Sequence, residues 1–565
     1  MLNSLTYSLP KNLETSVRKS LDEWQKENKI SRIWKKDASV WTNDDEAKWL
    51  GWLGSVEAEL SDVQKYKDFA EDVKAAPFTD VLLMGMGGSS LCPEVLSITF
   101  GVKNFHVLDS TVPAQIKTIE SRLNLEKTLF IVASKSGSTL EPNTFKQYFF
   151  ERVSEVVGKE NAGKQFIAIT DPNSKMQQVA TRDNFRKIFF GNAEIGGRFS
   201  ALSVFGMIPA SAMGIDAENF LNRTSEMVSA CKNENPSENA GAILGTILGV
   251  CQTSGRDKLT IFTSPEIHDV GAWLEQLIAE STGKDNMAIV PVDREMIQSP
   301  ENYGDDRIFA YLKLEGELNQ ETEAKIAALE KSGHPVVRIT LADKMNLGQE
   351  FFRWEFATAV AGAIMEINPF NQPDVEAAKI EAKKITEKYE ETGELPKEKP
   401  FYQERDIKLF TSDEYAVQLD KFIEGEKSLE KYLESHLAHL QENDYFALLA
   451  YIERNAENEK LLQAIREKVL EAKLVATCLG FGPRFLHSTG QAYKGGANNG
   501  VFLQITSDDA TDLQVPDQKY TFGVVKAAQA RGDFQVLLDR ERRALRVHLG
   551  KNVAEDLHRL TKIIG

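Results

Sequence analysis

The feature that most constrains the fold is a repeated pairing: a short, wholly apolar run followed at once by a loop of glycine and hydroxyl residues. Val81-Leu82-Leu83-Met84 runs into Gly85-Met86-Gly87-Gly88-Ser89-Ser90, and Leu129-Phe130-Ile131-Val132-Ala133 runs into Ser134-Lys135-Ser136-Gly137-Ser138-Thr139. A third run, Phe166-Ile167-Ala168-Ile169-Thr170, leads into Asp171-Pro172. A strand without polar alternation has to be covered on both faces. Such strands, alternating with helical stretches such as 142–158, indicate a parallel sheet between two layers of helix. After a helical stretch at 216–253 the pattern resumes, with strands predicted at 258–263, 287–291, 308–313 and 335–340 and helices at 270–282 and 320–331. The chain therefore reads as α/β, with two doubly wound parallel-sheet units in tandem.

A chain of 565 residues exceeds one hydrophobic core and suggests three or four units of roughly 150 residues each. The expected organisation is a helical N-terminal segment (1–75), a first α/β unit (76–215), a second (216–395) and an α+β C-terminal region (396–565). Trp24, Trp34, Trp41, Trp49 and Trp52 in the first segment read as core anchors. The charged, proline-containing stretch 386–400 reads as a surface connection. Beyond it, helices are predicted at 426–441 and 455–473, then a glycine-rich stretch at 479–500 and further strand-like sequence.

The formal charge is −17, which argues against a nucleic-acid partner, because such proteins carry a basic face. An anionic small molecule stays possible, since a local cradle of donors binds phosphate inside an acidic protein. Cys92, Cys231, Cys251 and Cys478 show no CxxC or metal-ligand spacing, so they read as reduced thiols. The N-terminal stretch lacks an apolar signal core and no run of about 18 apolar residues occurs. The expectation is a cytoplasmic protein with no membrane partner.

The loop 134–139 lies between a buried strand and a helix opening at Glu141-Pro142, where proline is well placed. Free N–H groups and the positive end of the helix dipole make such a hydroxyl-rich loop a natural phosphate cradle. The bland alternative is a serine-rich helix cap. The earlier loop, Gly85–Ser89, resembles part of a dinucleotide fingerprint, with Asp109 at the end of the next strand as the acidic partner. That reading leaves the second loop without a role. Two adjacent loops, one for close backbone approach and one for phosphate, fit a small phosphosugar better.

Further motifs carry a resemblance. GMGGSSLCP and SKSGSTLEP resemble the two signature loops of sugar-isomerase (SIS) domains as found in the phosphoglucose isomerase family. Gly196-Gly197-Arg198-Phe199-Ser200 resembles its GGR-aromatic-Ser motif, and Gln276…Glu280-Ser281-Thr282-Gly283-Lys284 its Gln-x-x-x-Glu-Ser-x-Gly-Lys motif. Asn368-Pro369-Phe370-Asn371-Gln372 with Val375, Glu376 and Lys379 resembles a fifth motif, and His487-Ser488-Thr489-Gly490-Gln491 a sixth. The histidine motif follows Lys379 by about a hundred residues, whereas in most bacterial relatives it would precede it. This order resembles the isomerase half of bifunctional transaldolase/phosphoglucose isomerase proteins.

The resemblance implies reversible isomerisation of glucose 6-phosphate and fructose 6-phosphate through an enediol, in glycolysis and gluconeogenesis. Moving a proton between adjacent carbons needs one desolvated base, and Glu280 holds that place. A surface glutamate paired with Lys284 is its structural alternative. Arg198 would stabilise enediolate charge, and His487 with Lys379 would open the sugar ring. Ser134, Lys135, Ser136 and Thr139 would bind phosphate; Gly88, Ser89, Gln276 and Gln372 would line the sugar. The chemistry requires neither metal nor cofactor. The resemblance further implies a homodimer whose site takes its histidine from the neighbouring subunit. Two competitors fit less well: a non-catalytic phosphosugar sensor could lose Glu280 and Arg198, which this chain keeps, and an amidating synthase would need a glutaminase domain with an N-terminal cysteine nucleophile, which Met1-Leu2 does not offer.

Overall fold

The computed structural model describes residues 1–317 and 319–564, and their strands form three sheets. A first strand, β1 (Ser4–Ser8), precedes the helical N-terminal segment. The first sheet comprises β2 (Asp80–Met84), β3 (Phe105–Leu108), β4 (Thr128–Ala133), β5 (Phe166–Thr170) and β6 (Lys187–Phe190), all parallel in the order β3-β2-β4-β5-β6. The second comprises β7 (Lys258–Thr263), β8 (Val290–Asp293), β9 (Arg307–Leu314) and β10 (Val336–Leu341), ordered β8-β7-β9-β10, with β1 antiparallel on the edge of β10. All residues of β4 and β5 are buried, as their unbroken apolar sequence requires when helices cover both faces.

The C-terminal region, expected as α+β, is a mixed sheet with a parallel centre. Its strands are β11 (Tyr402–Glu404), β12 (Ile407–Phe410), β13 (Tyr445–Tyr451), β14 (Ala476–Phe481), β15 (Gly500–Ser507) and β16 (Arg543–Leu549). The parallel strands run β14-β13-β15-β16, and the antiparallel pair β12 and β11 extends the β16 edge. In every sheet the first parallel strand lies between the second and the third. Each unit thus has a crevice beyond the carboxyl ends of its strands where the winding reverses, the position that open α/β sheets use for ligands.

Several expectations need correction. The N-terminal segment is not wholly helical: β1 pairs with β10, matching Ser4 to Thr340. Its polar, largely exposed sequence carries no strand pattern. It is held by buried groups on the distant helix Leu347–Ile364, where Arg353 Nη2 donates to Asn3 O at 2.6 Å and Asn3 Nδ2 donates to Glu350 Oε1 at 2.9 Å. The stretch 216–253 is two helices, Ala217–Cys231 and Ala240–Thr253. They are separated at Pro236, and Asn239 caps the second by accepting from Ala242 N. The connection 386–400 starts as helix, because Pro373–Thr392 continues until Gly393 adopts φ 74°. The helix expected at 426–441 spans only Leu429–Leu437, and the strand expected at 287–291 spans Val290–Asp293.

Trp24, Trp41 and Trp52 are buried, while Trp34 and Trp49 pack against the core from its margin. Trp52 meets Phe199 at 5.2 Å between ring centroids, Phe199 meets Phe370 at 5.2 Å, and Trp41 meets Phe370 at 5.2 Å. Each such pair contributes about 0.5–1.5 kcal/mol beyond area burial. The chain of rings holds two loops, 196–200 and 368–372, that would otherwise be free to move. The four cysteines are buried and free, and no helix among the described residues is long and apolar enough to cross a membrane.

Candidate active site

The helix Val270–Thr282 presents Glu280 near its C-terminal end, 8% exposed. Gln276, one turn earlier, donates from Nε2 to Glu280 Oε2 at 3.1 Å and to the His487 carbonyl at 2.9 Å. Arg198 Nη1 faces Glu280 Oε1 at 3.3 Å. The guanidinium is 3% exposed and is fixed by four further acceptors. Nε donates to Ser281 Oγ at 2.8 Å, Nη1 to Gln372 Oε1 at 3.0 Å, and Nη2 to the carbonyls of Pro369 at 3.1 Å and Asn371 at 2.9 Å. Burial pulls Arg198 below its ordinary pKa and the Glu280 charge opposes that pull. A guanidinium so placed remains a fixed cation. Three motifs far apart in sequence therefore converge on one buried carboxylate–guanidinium pair.

The surface pairing of Glu280 with Lys284 does not occur. Lys284 is buried, donates to Asn368 O and holds the 368–372 loop in place. Burial, reinforced by the charge of Arg198, pushes its ammonium well below the usual lysine range.

Within the chain His487 lies beside this region, its carbonyl accepting from the same Gln276 Nε2 that reaches Glu280. A short turn, Arg484–His487, follows β14 and brings the imidazole to Glu141, with Nε2 2.9 Å from Oε1. Glu141 is itself buried and accepts from Gln529 Nε2 at 2.6 Å. Burial works to raise the Glu141 carboxyl, but the charge and hydrogen bond of His487 hold it below its ordinary value. Sequence reading placed Glu141 only as a helix opening. Its partner lies 346 positions away, so no local pattern could reveal it.

Gln491, also in the histidine motif, ties the region together. Its Oε1 accepts from Asp374 N at 2.9 Å and Val375 N at 3.1 Å, and its Nε2 donates to Gly283 O at 2.7 Å. The start of the helix Pro373–Thr392 is thereby fastened to the end of the helix that carries Glu280. Lys379, farther along that helix, is exposed and pairs with Glu376 at 2.7 Å. It makes no direct contact with Glu280 or His487, but its charge reaches Glu141 and helps hold that carboxyl low.

The glycine loop serves close packing. Gly87 has φ 54°, and a Cβ there would lie 2.7 Å from Gln276 Nε2 and 2.9 Å from His487 O. A Cβ on Gly88 would lie 1.9 Å from Gly197 O. Ser89 is buried beside it. Gly88 thus sets the Arg198 loop against the first sheet. Asp109, the acidic residue of the dinucleotide alternative, is engaged by Arg484 Nε at 2.6 Å and is not free for a ribose.

The 134–139 loop occupies the reversal point of the first sheet, and Thr139 precedes the helix Leu140–Val157. Ser134 is buried and its Oγ has no partner among the described residues. Ser136 Oγ lies 2.8 Å from Ser138 Oγ, and Thr139 gives no side-chain cap. The hydroxyls are therefore available to an anion at a helix N-terminus. Lys135 could serve the anion by its charge or by its backbone. Its ammonium is held by Asp171 at 2.8 Å and Asn192 O at 2.8 Å, and burial lowers its pKa despite Asp171. Its backbone stays open to an anion.

A hydroxyl-rich loop at the reversal point of a parallel sheet and a buried carboxylate–guanidinium pair are together features of an α/β protein that can receive a small anionic ligand. Residues 55–304 match the family model described as phosphoglucose isomerase, and over that part the chain is similar to the family. A glucose-6-phosphate isomerase of Methanocaldococcus jannaschii is 27% identical over 339 residues, 54% of this chain and 83% of the relative. One of Rubrobacter xylanophilus is 29% identical over 365 residues, 55% of this chain and 83% of the relative. In structure, a glucose-6-phosphate isomerase from Chlamydia trachomatis superposes with TM-score 0.56 at 19% identity, covering 67% of this chain and 88% of that one. A hypothetical protein from Thermus thermophilus does so with TM-score 0.59 at 23% identity, covering 67% and 99%. The two superpositions bear on the fold.

Proposed function

We propose that the chain interconverts glucose 6-phosphate and fructose 6-phosphate through an enediol. It is an aldose–ketose isomerase, and the observation that carries the assignment is the buried pair of Glu280 and Arg198 at 3.3 Å. In this reading Glu280 removes the proton from one carbon and returns it to its neighbour. A carboxylate held away from water by Gln276 is suited to both steps. Arg198 stands against the oxygen on which enediolate charge develops. The guanidinium is held in place beforehand by Ser281, Gln372 and two carbonyls, so its charge acts with no reorganisation at the moment of transfer.

The cyclic sugar must open first. His487, backed by Glu141, exchanges the proton at the ring oxygen or the anomeric hydroxyl, with Lys379 as its partner across the opening. Ser134, Ser136 and Thr139 hold the phosphate through hydroxyls and helix N–H groups, Lys135 contributes its backbone, and Gln276, Gln372, Gly88 and Ser89 border the sugar. A non-catalytic sensor has no use for a buried Glu–Arg pair, and nothing else favours that reading. The four buried free thiols support a reducing cytoplasm. The likeness to the isomerase half of bifunctional transaldolase proteins, and a homodimeric assembly, rest on the motifs and their order.

Glu280→Gln keeps the hydrogen bond from Gln276 and removes the base. In a coupled assay on fructose 6-phosphate it is expected to lower turnover by about 10²–10⁴-fold with little change in phosphosugar binding. Near-normal turnover would remove Glu280 from the mechanism.

A further inference from the structure

The C-terminal sheet repeats the winding of the other two, and its own reversal point is open. A cavity of about 690 Å³ lies beyond the carboxyl ends of β13, β15 and β16, bordered by Tyr451, Thr506, Ser507 and His548. Its other wall is the start of the helix Phe522–Asp539, with Lys526 and Arg531. None of Glu280, Arg198, His487 or Lys379 borders it. The proposed isomerase mechanism gives this cavity no role.

Its charges are unusual. Arg546, 3% exposed, lies between the rings of Phe410 at 4.3 Å and Phe534 at 5.2 Å. Its Nε has no hydrogen-bond partner among the described residues. Burying a guanidinium is costly unless an anion meets it. Here the anion is Glu398, on the irregular segment 395–400 that crosses the cavity mouth. Glu398 Oε1 accepts from Arg546 Nη2 at 2.7 Å, and Oε2 meets Arg531 Nε at 2.7 Å. Arg531 also donates to Pro396 O at 2.7 Å. One tethered carboxylate, itself 32% exposed, is thus shared by two guanidiniums whose donors would suit a more highly charged anion.

The facing wall is acidic. Asp508 contacts His548 at 3.2 Å, Asp509 holds Lys526 at 2.6 Å, and Asp512 accepts from Gly523 N at 2.8 Å. Carboxylates accept from hydroxyl groups, while a pair of arginines matches the oxygens of a phosphate.

We propose that this crevice is a second ligand site, for a small phosphate ester bearing hydroxyl groups, and that Glu398 fills the phosphate position until such a ligand displaces it. The phosphate lies between Arg531 and Arg546 and gains the unpaired Nε donor. The hydroxyls face Asp508 and Asp512. The segment 395–400 swings outward, since it is held at this point by the same two arginines. The helix Phe522–Asp539 also carries Gln529, which holds Glu141, so the crevice and the His487–Glu141 pair share one wall.

The test is calorimetric titration of the full chain with sorbitol 6-phosphate, an unreactive polyol phosphate. Removing the internal carboxylate by Glu398→Ala is expected to tighten one binding site by tenfold or more. Arg531→Ala, at a partly exposed position that avoids disturbing buried Arg546, is expected to weaken that site by a similar factor. Neither change is expected to alter the KM for fructose 6-phosphate. Because the reading turns on the response to Glu398 and Arg531, loss of binding at the catalytic cradle would leave it intact. It is overturned if every sorbitol 6-phosphate site is indifferent to both substitutions, or if their only effect is on the KM.

Discussion

The carboxyl group of Glu141 accepts from two donors, one contributed by a turn after β14 and one by the helix Phe522–Asp539. A buried carboxylate with an imidazole and an amide on the same oxygen fixes the orientation of its partner more than it adds net stability. Its value is therefore in aiming His487. Glu141→Gln keeps the volume and loses the charge. The expected outcome is a fall of about tenfold to a hundredfold in turnover of the cyclic substrate, with a much smaller effect on an open-chain analogue. An equal loss on both would place Glu141 in proton transfer between carbons, or in folding, and not in ring opening. The same scale explains what was legible early. Glu280, Arg198 and His487 each sit in a motif of several residues. Glu141 has no motif of its own beyond a helix start.

Among the elements, the strand–loop–helix unit β4, 134–139 and Leu140–Val157 is the one whose sequence already states its geometry. An apolar strand, hydroxyls and an 18-residue helix leave the loop at a dipole end with free N–H groups. Hydrogen bonds to a charged group contribute about 1.5–3 kcal/mol each. Ser134→Ala combined with Thr139→Val removes two such bonds and is thus expected to weaken inhibition by inorganic phosphate by about 10²–10⁴-fold. An unchanged inhibition constant would put the phosphate elsewhere. The glycine loop after β2 was legible as a close-approach loop. What approaches it, the backbone at Gly197 and His487, was not, because a glycine records the space it leaves and not the neighbour that fills it. Strand β1 escaped for a different reason. It is an edge strand whose side chains are largely exposed, so its signal lies in a backbone ladder to residues more than 300 positions away.

At the scale of the whole molecule, one chain gathers Glu280, Arg198, Glu141 and His487. His487 comes from the C-terminal unit of the same chain. If the site is complete within a chain, mixing the inactive variants Glu280→Gln and His487→Ala should restore no activity, even after co-refolding. Recovery of turnover in the mixture would show that sites are shared between chains. The same arrangement predicts that specific activity is unchanged on dilution, whatever the state of association found by sedimentation.

Local sequence determined the buried strands, the hydroxyl loops, the helices between them and the chemical types present, because periodicity, turn residues and caps act over a few positions. It also carried the motifs that point to an isomerase. Only the tertiary structure decided that Lys284 turns away from Glu280, that Lys135 is bound to Asp171, and that Glu141 supports His487. It alone showed the third sheet winding like the first two, with Glu398 lying between two arginines. Each of these depends on a partner distant along the chain. The free energy of burying a charge is settled by which partner packs against it, and that choice is made when the three sheets come together.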